Sequence, residues 1–203
     1  QTVSIQLMAG TQLILHADSE PVRMRWLRML AGRCPPASGH YALDGEDLYS
    51  GTDRQRAARR NMRIGLIDVS HPLLPHLTLQ DNIALPARYR SGTSHSQANA
   101  EARQILDVVG LGKLCPADVQ NLSEAQGALA LLARALINTP DAIILYEPAL
   151  LREDVQQIVR RTLEMSEFRA ICIVSLLSTP ISWRSTGLQY DLMASPDRDD
   201  ARV

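Results

Sequence analysis

The sequence predicts an α/β fold in which helices cover both faces of a parallel sheet. Short runs rich in Ile, Leu and Val alternate with segments whose apolar residues recur at helical spacing. Strands that are apolar almost throughout are typical of a parallel sheet buried on both faces. The stretch between residues 72 and 138 has no clear strand and carries turn clusters, so we predict an inserted, mostly helical subdomain there.

The elements follow in order along the chain. Four apolar runs are predicted to be strands, at residues 13–16, 64–68, 142–146 and 170–175. Four amphipathic segments are predicted to be helices, at residues 20–31, 97–109, 123–136 and 153–165. This order assigns residues 1–71 and 137–203 to the α/β core and residues 72–136 to the helical subdomain.

Composition sets further bounds. The 203 residues carry a net charge of −1, which shows no general preference for nucleic acid. Cys34, Cys115 and Cys172 are odd in number and widely spaced, which predicts a reducing compartment and neither a disulfide framework nor a zinc site. No run of about 18 apolar residues could span a bilayer. We therefore expect a cytoplasmic protein that can touch a membrane only through a partner, with no metal site of its own.

The segment LSEAQGALALLARALINTPDAIILYEP, residues 122–148, carries the most specific pattern in the chain. It resembles the signature-to-Walker-B region of ATP-binding cassette (ABC) transporter ATPases, in which LSGGQ opens a helix and Asp-Glu-Pro follows an apolar strand. Residues 38–48 and 73–86 are similar to the family's hairpin and to the entrance of its helical lobe. The resemblance implies a P-loop NTPase-like core. The family's adenine-stacking aromatic normally lies further upstream of the first strand than this sequence reaches. The resemblance therefore implies one of two alternatives: the aromatic is lost, or the N-terminal strands are incomplete here.

The resemblance also identifies the residues that stand where the family binds phosphate. They are Ala17, Asp18, Ser19, Glu20, Pro21, Val22, Arg23, Met24 and Arg25. None is a glycine or a lysine, and the chain's only lysine is Lys113. Phosphate cradles need backbone N–H groups and a cation, whereas Pro21 has no N–H and Glu20 adds negative charge. Ser19, Glu20 and Pro21 instead suit the start of a helix.

Other positions of the family's chemistry are also changed. Tyr146 stands where the family has its magnesium-binding aspartate, and Leu176 stands where it has the switch histidine. Val69 or Ser70 replaces the glutamine that couples the lobes. In the signature segment, formed by Leu122, Ser123, Glu124, Ala125 and Gln126, the two glycines are replaced. Glu147 matches the catalytic glutamate and is interpreted as vestigial. We therefore expect a catalytically degenerate subunit, not an enzyme, that requires neither ATP nor magnesium.

The resemblance implies a structural or regulatory role in a transport complex of the inner membrane, reached through partner subunits. These partners are a transmembrane subunit and a second ABC-type subunit. The resemblance implies that the transmembrane subunit docks near Leu73, Leu74, Pro75, His76 and Leu77. The sequence of residues 73–86 is most similar to the compact-importer, lipoprotein-release and lipid-trafficking branches of the family, which favours lipid or lipoprotein as cargo. Two alternatives stay open. The first is an active ATPase that uses unusual residues such as Arg23 or a composite site with an intact partner. The second is a soluble interaction module. Five arginines between residues 54 and 63 are interpreted as a solvated face and not as a nucleic-acid site.

Overall fold

The computed structural model describes residues 5–16, 19–68, 71–146 and 152–176, and the backbone of residues 187–191. Its strands are β1 (Gln12–His16), β2 (Ala42–Leu43), β3 (Glu46–Asp47), β4 (Ile64–Asp68), β5 (Ala142–Tyr146), β6 (Cys172–Ser175) and β7 (Gly187–Asp191). Its helices are α1 (Glu20–Leu30), α2 (Asp53–Arg63), α3 (Leu79–Arg88), α4 (His95–Val108), α5 (Glu124–Leu136) and α6 (Glu153–Glu164). Short 3₁₀ turns at Gly112–Leu114 and Val119–Asn121 connect α4 to α5.

Five strands form one parallel sheet in the order β4-β5-β6-β1-β7. The four predicted strands are confirmed, although the one predicted from residue 170 begins at Cys172. β7 was not predicted, because its run GLQYD alternates polar and apolar residues and lacks the continuous apolar character of the other strands. β2 and β3 pair separately as an antiparallel hairpin, as the resemblance implied.

The core lies on both faces of the sheet, which confirms the predicted α/β class. On β5, Ile143 and Leu145 face a large cluster built with α3, α4, α5 and α6. Ile144, between them, faces a smaller cluster built with α1. Alternate residues of one strand thus enter opposite cores, as expected for a sheet covered twice.

Side-chain caps determine where several helices begin. Thr52, Thr78, Ser94 and Ser123 each accept a hydrogen bond from the backbone N–H three residues later. The helix predicted from residue 97 therefore begins at His95, directly after its cap. Among the described ranges, no helix is long and apolar enough to cross a membrane.

The arginine-rich helix α2 differs from its prediction as a solvated face. The Arg59 guanidinium donates to Glu46 at 2.7 Å, and Arg63 donates to Glu46 at 3.1 Å and to the Leu43 carbonyl at 3.0 Å. Arg63 also pairs with Asp141 at 2.5 Å, and this hydrogen bond raises the pKa of the guanidinium. Two of the five arginines thus hold the β2–β3 hairpin against the core.

Candidate functional site

Several residues meet at the carboxyl edge of the sheet, at positions where the family carries its phosphate-binding, magnesium-binding and switch residues. Tyr146 ends β5, Leu176 follows β6, and α1 begins after β1. Met24, Tyr146 and Leu176 all belong to or pack against the cluster between α1 and the sheet. Three positions that the resemblance connects with magnesium and phosphate are therefore in apolar packing. Ala17, Asp18, Val69, Ser70 and Glu147 lie outside the described residues.

The turn before α1 is built as a helix start. Ser19 is the N-cap residue, in extended conformation, and its carbonyl accepts the Arg23 N–H at 3.1 Å. Glu20 and Pro21 follow in the first turn and are exposed, whereas Arg23 is half-buried. Because Pro21 has no N–H and Glu20 carries a negative charge, these residues do not form a glycine-lined phosphate cradle.

The start of α5 keeps the geometry that the LSEAQ segment suggests. Ser123 Oγ accepts the Gln126 N–H at 3.3 Å, and Gln126 Oε1 accepts the Ser123 N–H at 2.9 Å, which is a complete capping box. Glu124, whose side chain is 71% exposed, lies 3.8 Å from Arg152. Leu122 and Ala125 pack against the large core cluster. The segment is therefore anchored on one side and open to solvent at Ser123.

The loop after β4, which contains the predicted docking residues, is held by a buried asparagine. Asn82 is fully buried and its Oδ1 accepts the Leu74 N–H at 2.6 Å. Its Nδ2 donates to the carbonyls of Leu74 at 3.0 Å and Leu77 at 3.3 Å. Leu73 packs on the core, while Pro75 and His76 are exposed. Asn82 was not predicted to be functional, although its place as a polar residue on the apolar face of α3 could have indicated it.

A second group fixes the same loop from the core. His71 Nδ1 lies 2.6 Å from Oδ2 of Asp68, whose side chain is 1% exposed. The Arg134 guanidinium, on α5, donates to the carbonyls of Pro72 at 3.0 Å and His71 at 2.5 Å. Within the described part of the chain, no group of three or more His, Cys, Asp or Glu residues could hold a metal ion. The loop therefore connects the end of β4 with the helix that carries the LSEAQ segment.

Two features define a P-loop-type nucleotide-binding cassette. The first is a parallel sheet with a helix that starts at its carboxyl edge. The second is an inserted helical region that leads to a capped LS-x-x-Q helix. Residues 25–150 match the family described as ABC transporter. The chain belongs to the ABC transporter family.

Named relatives make this more specific. The chain is 34% identical over 146 residues to the lipoprotein-releasing system ATP-binding protein LolD of Shewanella sp. (strain MR-4), covering 72% of this chain and 63% of the relative, which is less than two thirds of that protein. It is 29% identical over 181 residues to the macrolide export ATP-binding/permease protein MacB of Syntrophobacter fumaroxidans, covering 88% of this chain and 25% of that one.

Solved structures agree on the fold. The dimeric ATP-binding cassette MJ0796, in a post-hydrolysis state with ADP and phosphate, superimposes with a TM-score of 0.72 at 21% identity. The match covers 86% of this chain and 78% of that one. The fold class predicted from the sequence is thereby confirmed.

These comparisons correct two predictions. The expectations that the chain is not an enzyme and that it takes neither ATP nor magnesium are wrong, because its family and its relatives LolD and MacB are ATP-binding proteins. The framework around the changed positions, including the start of α5, is retained.

Proposed function

We propose that this chain is the ATP-binding subunit of an ABC transporter of the lipoprotein-release type. In this proposal ATP and magnesium bind between the chain and a second cassette, and the pair acts at the inner face of the cell membrane on transmembrane subunits. The observation that carries the proposal is the intact, exposed capping box of Ser123 and Gln126 at the start of α5. The 34% identity to LolD supports the cargo class.

Ser123 can serve a nucleotide while it caps its helix. A hydroxyl has one donor and two lone pairs, and here a lone pair accepts the Gln126 N–H at 3.3 Å. Its O–H therefore remains able to donate to a phosphate oxygen presented by the second cassette. Glu124 opposes an anion there, and Arg152, 3.8 Å away, partly offsets that charge.

The chain's own turn at α1 does not fit a phosphate in the family's usual manner, since it lacks glycine N–H groups and a lysine. Arg23, half-buried in the first turn of α1, is the cation that we propose for this position. A guanidinium can bind phosphate with two parallel hydrogen bonds, in contrast to the point charge of a lysine.

Equilibrium binding of a fluorescent ATP analogue with magnesium, measured on the intact transporter complex, tests both contributions. We expect Ser123→Ala and Arg23→Gln each to weaken binding by about tenfold, the effect of losing one hydrogen bond to a charged group. Ser94→Ala is the matched control for the first, because Ser94 caps α4 in the same way, accepting the Gln97 N–H at 3.1 Å. The exposed Arg25→Gln is the control for the second. Unchanged affinity in both test variants contradicts the proposal.

We further propose that the transmembrane subunit docks on the loop formed by Leu73, Leu74, Pro75, His76 and Leu77. Its support is that Asn82 holds this loop in one conformation while two of its side chains are exposed. Purification of the native chain from a detergent extract should recover a polytopic membrane protein. Recovery of the chain without such a partner would identify an interaction module unconnected with transport.

A further inference from the structure

A cluster of three charged side chains joins the starts of α5 and α6, next to Ser123. Arg152, the N-cap residue of α6, donates from Nε to Oδ1 and from Nη2 to Oδ2 of Asp154, each at 3.2 Å. Its third nitrogen, Nη1, lies 3.8 Å from Oε2 of Glu124, in the first turn of α5. Asp154 therefore holds two of the three guanidinium nitrogens and leaves the third facing Glu124.

The contact between Arg152 and Glu124 is an open ion pair. Hydrogen bonds from N–H groups to oxygen are about 2.7–3.2 Å long, so a separation of 3.8 Å is an electrostatic attraction and not a hydrogen bond. A guanidinium has five N–H groups, of which Asp154 takes two. The side chains of Arg152 and Glu124 are 49% and 71% exposed, so they can shift without disturbing the core. The Glu124 carboxylate therefore has both the donors and the room to move closer to Arg152.

The charge of Glu124 matters because Glu124 directly follows Ser123, whose hydroxyl is the proposed phosphate donor. Without a nucleotide, the carboxylate is stabilised by the positive end of the α5 helix dipole. A phosphate that approaches the same helix start is repelled by this carboxylate. Among the described residues, Arg152 is the cation that pairs with Glu124. The repulsion therefore decreases when Glu124 moves away from Ser123 and toward Arg152.

We propose that Arg152 is a positioning residue for nucleotide binding: it takes up the Glu124 carboxylate when a phosphate presented by the second cassette approaches Ser123. This inference rests on the proposed function, because it requires that nucleotide. The ion pair closes from 3.8 Å to hydrogen-bond distance, while Asp154 keeps the guanidinium in place. Arg152 acts through Glu124 and makes no bond to the phosphate.

A double-mutant cycle on Arg152 and Glu124 tests this inference, with binding of the fluorescent ATP analogue and magnesium to the intact transporter complex as the readout. Arg152→Gln should weaken binding by about fivefold at low salt, because it leaves an unpaired carboxylate about 4 Å from the phosphate. In a Glu124→Gln background, the same substitution should change the affinity by less than about twofold. High salt should remove the loss in the first background, whereas a structural defect would persist.

Arg160→Gln is the matched control, because Arg160 is an exposed arginine on the same helix. It lies eight residues, or about 12 Å, further along α6, where the loss of one charge should change the affinity by less than about twofold. Glu124→Gln leaves the capping box of Ser123 and Gln126 in place, so α5 begins as in the wild type.

The outcomes separate this inference from the proposed function. If the wild-type complex binds the analogue and Arg152→Gln weakens binding equally in both backgrounds, Arg152 bonds to the phosphate itself and the positioning role is refuted. An unchanged affinity of Arg152→Gln also refutes it. In both cases the proposed function stands. A wild-type complex that binds no analogue contradicts the proposed function, and the inference falls with it.

Discussion

Replacement of Gly65 by alanine should displace α5, the helix that carries the LSEAQ segment, and destabilise the protein. Gly65 lies in β4, and an added Cβ would stand 2.6 Å from the Ala135 carbonyl oxygen and 3.1 Å from its Cβ. The nearer atom is backbone of α5, so the helix must shift, and overpacking of this kind costs about 1–3 kcal/mol. For a domain of this size, about 2 kcal/mol corresponds to a decrease of about 4–8 °C in Tm.

Gly127→Ala is the matched control, because it makes the same chemical change on α5, the helix that Gly65 contacts. Nothing lies within 4 Å of a Cβ added there, and alanine is favoured over glycine in a helix by about 0.5–1 kcal/mol. We expect its Tm to rise by about 1–4 °C. Thermal unfolding followed by circular dichroism measures both variants. A Gly65→Ala protein as stable as the wild type would refute the close approach of α5 to β4.

Three further variants test other features. Asn82→Ala should lower the free energy of unfolding by about 2–4 kcal/mol in urea titrations, because it orphans buried backbone groups of the loop after β4. Glu20→Gln should tighten binding of the ATP analogue by about fivefold at low salt, and high salt should remove the gain. The reason is that an exposed carboxylate about 4 Å from a phosphate repels it by about 1 kcal/mol. Hydrogen bonding from Thr78, with help from Arg88, lowers the pKa of Asp81. The stabilisation by the Asp81 carboxylate is therefore present above the pKa of the unfolded chain and lost as pH falls through the lower folded value. Asp81→Asn should cost about 1 kcal/mol at pH 7 and progressively less as the pH falls below about 4. A difference in urea midpoint from the wild type that does not shrink with falling pH would contradict this.

The parts of the fold that depend on local sequence could be predicted. Continuous apolar runs identified β4 and β5 to the residue, and Ser123 marked the start of α5. β7 could not be found, since Gln189 and Asp191 interrupt its apolar pattern and its place depends on pairing with β1. Strand order has no local signal either, because it is fixed by contacts between residues far apart in the chain.

The candidate site also contains parts that local sequence predicts and parts that depend on contacts between distant residues. The LSEAQ segment is contiguous, so its residues could be named from the sequence and its function inferred from a resemblance. Arg134, in contrast, meets Pro72 across 62 residues of chain, and Asn138 meets Asn61 across 77. Neither contact leaves a pattern in the sequence, and the division of the chain into residues 1–71, 72–136 and 137–203 stays a prediction. The α2 arginines were misjudged for the same reason, since Arg63 finds Asp141 only in the folded chain.

Helix α5 connects the two surfaces to which we assign function. Ser123 caps its first turn and Arg134 lies near its last, 11 residues on, which at about 1.5 Å per residue places them about 16 Å apart along one rigid element. The close contact of Gly65 with Ala135 fixes this helix to the sheet near its Arg134 end, so a shift there must either move the whole helix or strain that contact. A subunit docking on the loop that Arg134 holds and a phosphate approaching Ser123 would therefore act on the same body. Physical coupling between docking and nucleotide binding then needs no pathway other than α5 itself.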